Sequence, residues 1–297
     1  MTSFHQALVS AGLRPRDIVA DGLWRRCSTD DKPGKKNGAY KLSLGGGRGW
    51  FRNWATHDEL CVWDDDREHE VKPIDENRLR ASRERERNYR IEAMKDARRF
   101  WESSKQSRSP HPYIANKGLS ALGCSGLRVS GDLLVVPVWH GDWITSLQTI
   151  NPKGDKRFWT GAPVKAGAYI MDRPSAAVTA VCEGLATGMA VYQSVRNARV
   201  IVAFDAGNLL PVVQRLKLHG SVLIAADNDH GTQARTGINP GLEKARNAAE
   251  LIGCGVAYPS GIEGTDWADF LKERGHGASK ALEREILKGA RYVATPE

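Results

Sequence analysis

The chain has only five cysteines in 297 residues, and where they fall excludes more than their number does. Cys27, Cys61, Cys124, Cys182 and Cys254 are odd in number and widely scattered, and Cys182 ends an apolar run, AAVTAVC, that reads as a buried strand. A disulfide framework is therefore not expected, and a reducing compartment suits the chain. No C-x-x-C pair occurs, and Cys27, His57 and Cys61 alone do not make a closed tetrahedral centre, so no zinc is expected. No apolar run approaches membrane-spanning length, and MTSFHQALVSAGLRPRD lacks the charged-then-apolar order of a leader. A cytoplasmic protein with no membrane partner is the expectation. A G-x-x-x-x-G-K-[ST] phosphate loop is also missing, which excludes a nucleotide-driven motor of that type. There is no internal repeat.

Hydrophobic residues make up 41% of the chain, enough for packed cores, and the length allows two or three modest domains. The net charge of +8 suits a polyanionic partner. Residues 1–75 read as a small β-rich module: a short helix, SFHQALVSAGL, then strand candidates WRRCS, GAYKLSL and GWFRNWA around the turn DDKPGKKNG and Gly45 to Gly47. Residues 76–110 read as a charged connecting helix with one weak apolar stripe of Tyr89, Ala93, Ala97, Phe100 and Trp101, ended by SRSPHP. In 111–175, DLLVVPVW and WITSLQTI are strands joined by HGD, followed by the basic turn NPKGDKRFWTG. From 176 to 297 strand-like and helix-like runs alternate, as βαβ units with a parallel sheet do. ASKALEREILKGARYV reads as a closing amphipathic helix.

Three acidic clusters punctuate this last part: Glu183 in VCEGLATG, Asp227 and Asp229 in LIAADNDHG, and Asp266 and Asp269 in GTDWADFL. The first two each end a strand-like run, and ligands bind an open parallel sheet at the carboxyl ends of its strands. Carboxylates delivered there suit hard divalent cations, which in turn bridge to phosphoryl oxygens. Each acid alone also reads as a solvated strand end or a helix cap; the combination is what points to nucleotide or nucleic-acid chemistry. Asp205, after VIVAFD, reads first as a cap for the next helix. Asn208 and His230 are polar loop residues near the same rim. Thr187 and Gly188 open a helix, either to present N–H groups to an anion or because packing there is tight.

The Glu-Gly, Asp-x-Asp and later acidic pair together resemble the Toprim domain shared by bacterial primases, topoisomerases and some nucleases. The phrase Glu183-Gly184-Leu185-Ala186-Thr187-Gly188 is closer to primases of plasmids and phages. So are His111, Tyr113, Lys117 and Gly118 of HPYIANKG, Val136-Pro137, Leu147 to Ile150, and Gly154 to Phe158. Two departures stand out: Thr187 replaces an Asp common in replicative primases, and Asp266 and Asp269 are spaced D-x-x-D rather than D-x-D.

The resemblance implies an α/β Toprim-like parallel sheet flanked by helices, preceded by a mixed α+β basic subdomain and the β-rich amino-terminal module. It implies a DNA primase making short RNA primers from NTPs on single-stranded DNA. About two ions, Mg²⁺ or Mn²⁺, would be held by Asp227 and Asp229, with Asp266 and Asp269 as further ligands and Glu183 as ligand or as acid/base beside the incoming 3′ hydroxyl. Lys153, Lys156, Arg157 and Lys165 are the expected template-binding cations, and Trp50 and Arg52 of the amino-terminal module are expected to touch nucleic acid. A helicase would act in trans. The rival readings are a Toprim nuclease using the same carboxylates, and a catalytically weak accessory protein that binds single-stranded DNA.

Overall fold

The computed structural model describes residues 3–31, 33–54, 56–65, 76–106, 110–120 and 126–295, in two compact units, Met1–Ala81 and Ser82–Glu297. Cys124, Lys32 of the DDKPGKKNG turn, residues 66–75 of the β-rich stretch and 107–109 of SRSPHP lie outside the described residues.

In the first unit, Ser3 starts helix α1 (Phe4–Ser10) through a capping box: its hydroxyl accepts from the Gln6 amide at 3.2 Å, and Gln6 Oε1 accepts from the Ser3 amide at 2.7 Å. One antiparallel sheet follows in chain order: β1 (Leu13–Arg14), β2 (Arg25–Thr29), β3 (Gly38–Leu42), β4 (Arg48–Asn53) and β5 (His57–Asp64). Alternation along β4 buries Gly49, Phe51 and Asn53 and turns Arg48, Trp50 and Arg52 to the other face. Phe4 and Leu8 close the buried face over Leu13, Cys27, Tyr40, Leu42 and Phe51. β1 and β5 were not expected. β1 has two residues, and the charges of HDELCVWD break the apolar alternation that marks a strand.

The charged helix is α2 (Glu76–Ser103). Ala93 and Ala97 are buried, and Ala97, with the half-buried Phe100 and Trp101, packs on Val135, Ile144 and Leu147. Tyr89, expected on the same stripe, is 58% exposed. The strands beneath are β6 (Lys105–Gln106), β7 (Arg128–Ser130), β8 (Leu133–His140), β9 (Trp143–Ile150) and β10 (Lys156–Phe158), an antiparallel sheet in the order β10-β9-β8-β7-β6. Helix α3 (Pro112–Asn116) lies between β6 and β7 in the chain. Leu134 to Val138 of β8 are buried without a break because both faces of this sheet are covered. Leu134, Val136, Val138 and Ile150 face a core shared with the sheet that follows.

That third sheet is built from β11 (Tyr169–Met171), β12 (Val178–Cys182), β13 (Ala198–Val202), β14 (Gly220–Ala225), β15 (Gly255–Ala257) and β16 (Arg291–Val293). The order is β11-β13-β12-β14-β15. β13, β12, β14 and β15 are parallel, while β11 and β16 join antiparallel at the edges. Between the strands run α4 (Leu185–Ser194), α5 (Ala206–Leu216), α6 (His230–Thr236), α7 (Pro240–Ile252), α8 (Trp267–Arg274) and α9 (Ala278–Gly289). Val178, Ala180 and Cys182 pack with α4, α8 and α9, while Val181, Ile201 and Ile224 pack with α5 and α7. The result is a mixed α/β unit with helices on both faces of a largely parallel sheet.

One expectation is corrected at the carboxyl end. ASKALEREILKGARYV is not helical throughout: the helix stops at Gly289, and Arg291–Val293 becomes β16. β15 pairs only with Leu223, Ile224 and Ala225 of β14, so Gly220, Ser221 and Val222 need another partner, which β16 supplies. Among the described residues no helix is long and apolar enough to cross a membrane.

Candidate active site

The chain runs from β12 to β13 on one side and then returns past β12 to β14 on the other. The order of connection therefore reverses between β12 and β14, and their carboxyl ends border the crevice where open α/β sheets bind ligands. Glu183 follows β12 directly, and Asp227 and Asp229 follow β14.

Gly241, in the first turn of α7, shows how closely these groups converge. A Cβ there would lie 3.4 Å from Asp229 Oδ2 and 3.8 Å from both Glu183 Oε2 and the Asp227 carbonyl oxygen. A small space bordered by three oxygens is thus kept open by the lack of a side chain. Hard divalent cations take this kind of donor set. The residues fit a cation, although among the described residues no group of three or more His, Cys, Asp and Glu side chains is drawn into a preformed cage.

The electrostatics point the same way. Burial, then the like charges of Asp229 and Asp205, push the Glu183 carboxyl above its ordinary value, against the pull of Lys156. Burial, then the neighbouring Glu183, pushes Asp227 up to about 7, although the Thr187 hydroxyl donates to its Oδ1 at 2.6 Å. Acids this poorly compensated are what a bound cation would relieve.

The loop between Asp227 and Asp229 is braced by the residue between them. The Asn228 amide donates to Thr265 O at 2.7 Å, its side-chain Nδ2 donates to Pro259 O at 2.9 Å, and its Oδ1 accepts from Asn239 Nδ2 at 3.0 Å. Asn239 in turn caps α7, its Oδ1 accepting from the Leu242 amide at 3.2 Å. Sequence reading passed over Asn228; its signal was a side chain with both donor and acceptor between two acids.

Thr187 and Asp205 resolve differently. Thr187 sits 1% exposed and bridges the clusters: it donates to Asp227 and accepts from the Trp267 amide at 3.4 Å. Beside it, a Cβ on Gly188 would come 2.7 Å from Val202 Cγ2, so tight packing accounts for the glycine. Asp205 caps α5, accepting from the Asn208 amide at 3.0 Å. Asn208 is not a rim residue. It is buried, its Oδ1 accepts from the Ala166 amide at 2.7 Å, and its Nδ2 donates to Gly167 O and Ala203 O. His230 is exposed, with Nδ1 3.1 Å from Asn228 O.

The Asp266 charge also acts on Asp227, raising it, but Asp266 and Asp269 have partners of their own. They form the capping box of α8, and Lys117 Nζ donates to Asp266 Oδ2 at 2.6 Å and to Asp269 Oδ1 at 2.8 Å. Burial raises the Asp269 carboxyl, but Lys117 and the Thr265 and Asp266 amides outweigh it and hold the group below its usual range. A lysine thus occupies the pair expected to supply further metal ligands.

HPYIANKG is the scaffold that delivers this lysine. His111 caps α3, its Nδ1 accepting from the Tyr113 amide at 3.2 Å, with Nε2 2.7 Å from Asp132 O. Tyr113 and Ile114 are buried in the core, and Gly118 takes a φ of +68° just after Lys117.

The basic residues separate by strand alternation. Lys156 and Phe158 of β10 face the parallel sheet: a Cβ on Gly184 would lie 3.6 Å from Lys156 Nζ, and the Phe158 ring is 6.1 Å from that of Phe204. Arg157, paired with Thr149, points to the opposite face. Lys153, Arg157 and Lys165 are exposed.

In the amino-terminal unit, the open sheet face alternates cations with indoles. Lys41 and Arg48 lie 5.2 and 5.7 Å from the Trp50 ring, and Arg26 and Arg52 lie 4.2 and 5.8 Å from the Trp54 ring. Cys27 packs in the core of that unit.

Residues 178–277 match the family model of the Toprim domain. The chain is 29% identical over 262 residues to a DNA primase TraC of Escherichia coli, covering 81% of this chain and 24% of that protein. It is 33% identical over 161 residues to a second DNA primase TraC of Escherichia coli, covering 50% of this chain and 11% of that one. It therefore spans a quarter or less of the length of these relatives. The primase fragment of the bacteriophage T7 primase-helicase protein superposes with a TM-score of 0.42 at 14% identity, over 63% of this chain and 80% of that fragment, too loosely to support an inference.

Proposed function

We propose, from a Toprim domain at residues 178–277 in a chain similar to DNA primases, that this protein synthesises short RNA primers on single-stranded DNA by cation-dependent nucleotidyl transfer. The observation that carries the reading is the oxygen-lined space at Gly241, which a carboxylate oxygen of Glu183 and one of Asp229 both border at the end of the parallel strands. Mg²⁺ or Mn²⁺ bound there would neutralise triphosphate oxygens and the charge that develops on the attacking and leaving oxygens.

The chain's own groups have distinct tasks in this reading. Glu183 and Asp229 hold the cation, and Asp227, fixed by Thr187, sets the charge behind them. Glu183 also stands where a carboxylate oxygen can take the proton of an incoming 3′ hydroxyl. Lys156, beside Gly184, meets the phosphates of the incoming NTP. Lys153, Arg157 and Lys165 steer the template backbone, and the Trp50 and Arg52 face offers stacking and charge to single-stranded DNA. In this reading unwinding belongs to a replicative helicase acting in trans.

The test is incubation with single-stranded DNA, labelled NTPs and Mg²⁺ or Mn²⁺. New oligoribonucleotides are expected. Shortened DNA would point to a nuclease, and binding without turnover to an accessory protein.

A further inference from the structure

Every carboxylate oxygen of the third acidic pair is engaged by the protein itself. Asp266 Oδ1 accepts from the Asp269 amide at 2.8 Å, and its Oδ2 accepts from Lys117 Nζ at 2.6 Å. Asp269 Oδ1 accepts from Lys117 Nζ at 2.8 Å, and its Oδ2 accepts from the Thr265 and Asp266 amides at 3.2 and 3.4 Å. A divalent ion here would have to displace both an ammonium group and the cap of α8. The lysine is firmly placed. α3, which presents it, is anchored by its His111 cap and the buried Tyr113 and Ile114, and Lys272 of α8 reaches back to Asn116 O at 3.4 Å.

The Glu183 and Asp229 oxygens around Gly241 contrast with this. Among the described residues neither carboxylate forms an ion pair, and both have an oxygen within 4 Å of the point where a Cβ on Gly241 would lie. The two acidic regions are joined through Thr187, which hydrogen-bonds Asp227 on one side and the Trp267 amide on the other, and through the Asn228 amide, which donates to Thr265 O at 2.7 Å.

We infer that Lys117 stands in place of a second cation, so that this centre takes one divalent ion, at the oxygens around Gly241, rather than two. The inference rests on the cation-dependent reading above. A single positive charge fixed on α3 then makes the third pair a structural joint between α3 and α8, and Lys117 is a positioning residue rather than a ligand.

Binding of Mn²⁺ alone to the full chain, counted from the electron paramagnetic resonance signal of the free ion, tests this without nucleotide or DNA. One ion per chain is expected. Asp266→Asn should keep it, since Asn caps a helix as Asp does, and Glu183→Gln should weaken it at least tenfold. Lys117→Met should bind a second ion. Two ions in the unaltered protein, with one lost in Asp266→Asn, would overturn the inference, and so would a folded Lys117→Met protein that still binds one. If Lys117→Met does not fold, the comparison of the unaltered chain with Asp266→Asn decides alone. No ion in the unaltered chain, with no change in Glu183→Gln, would instead remove the cation-dependent reading and the inference with it.

Discussion

Two acidic groups at one end of the same parallel sheet have opposite electrostatics. Glu183 and Asp227 are buried among like charges, and their carboxyls are pushed up, Asp227 to about 7. Asp269 is drawn down by Lys117 and by backbone amides, despite its own burial. Both sets lie at the amino-terminal ends of helices, and what separates them is a counter-charge delivered from 149 residues away in the chain. The uncompensated set is poised to bind something positive; the compensated set already holds it. Removing charge from the first should therefore abolish function and relieve strain, whereas removing the lysine from the second should cost stability.

The largest effect is expected for Glu183→Gln. Primer synthesis should fall by about a thousandfold or more, on the order of 4 kcal/mol of transition-state stabilisation, while binding to single-stranded DNA stays within about twofold, as read by the oligoribonucleotide assay and by fluorescence anisotropy. A variant that keeps full synthesis would dissolve the contrast between the two acidic groups, because Glu183 would then be no more than a strand end.

Asp227→Asn probes the same contrast through pH. The folded carboxyl, raised from 3.8 to about 7, keeps its proton where the unfolded one has lost it. Stability of the unaltered protein should thus fall as pH rises from about 4 to 7 and then level off, because the native state binds more protons in that window. In EDTA, Asp227→Asn should be the more stable protein at pH 8, by about 2–4 kcal/mol, with the gap closing towards pH 4. Urea denaturation at pH 4, 6 and 8 measures it. Asp269 has the opposite sign: its contribution is present above its unfolded value and lost as pH falls through its lower folded one.

Lys117→Met should sharpen that opposition. It leaves two partly buried carboxylates facing one another, a loss of about 2 kcal/mol in urea unfolding at pH 7. The loss should shrink below about pH 4, where the carboxylates protonate. A loss independent of pH would mean that the lysine stem packs rather than pairs.

How far the sequence anticipated this depends on whether the signal was local. Strand-helix alternation after residue 176 is a periodic pattern carried by runs such as AAVTAVC and SVLIAA, and the acids that end those runs fall on the rim because strand ends do. Partnership across the chain left no such trace. Lys117 stood in the HPYIANKG phrase with no role assigned, since nothing near it in sequence is its partner. Thr187 registered only as a departure from an acidic position, yet it is the hydroxyl between Asp227 and Trp267. Asn208 read as a loop residue near the rim, although its amide ties Ala166, Gly167 and Ala203 together in the interior. β16 was hidden because three residues after a helix have no periodicity to read.

The smallest effect separates two neighbours that composition treats alike. Lys156 and Arg157 sit side by side in one basic turn, yet alternation along β10 turns Lys156 towards Gly184 and Arg157 away from it. Lys156→Ala should raise the KM for NTP about tenfold, near 1.4 kcal/mol, and leave template binding little changed. Arg157→Ala should do the reverse: weaken template binding about threefold, lower by about one the slope of log affinity against log salt, and leave the KM nearly as it was. Steady-state synthesis and DNA titrations at several salt concentrations measure both. Equal effects of the two substitutions on both quantities would mean that the strand's faces do not divide the work, and that this turn acts only as diffuse positive charge.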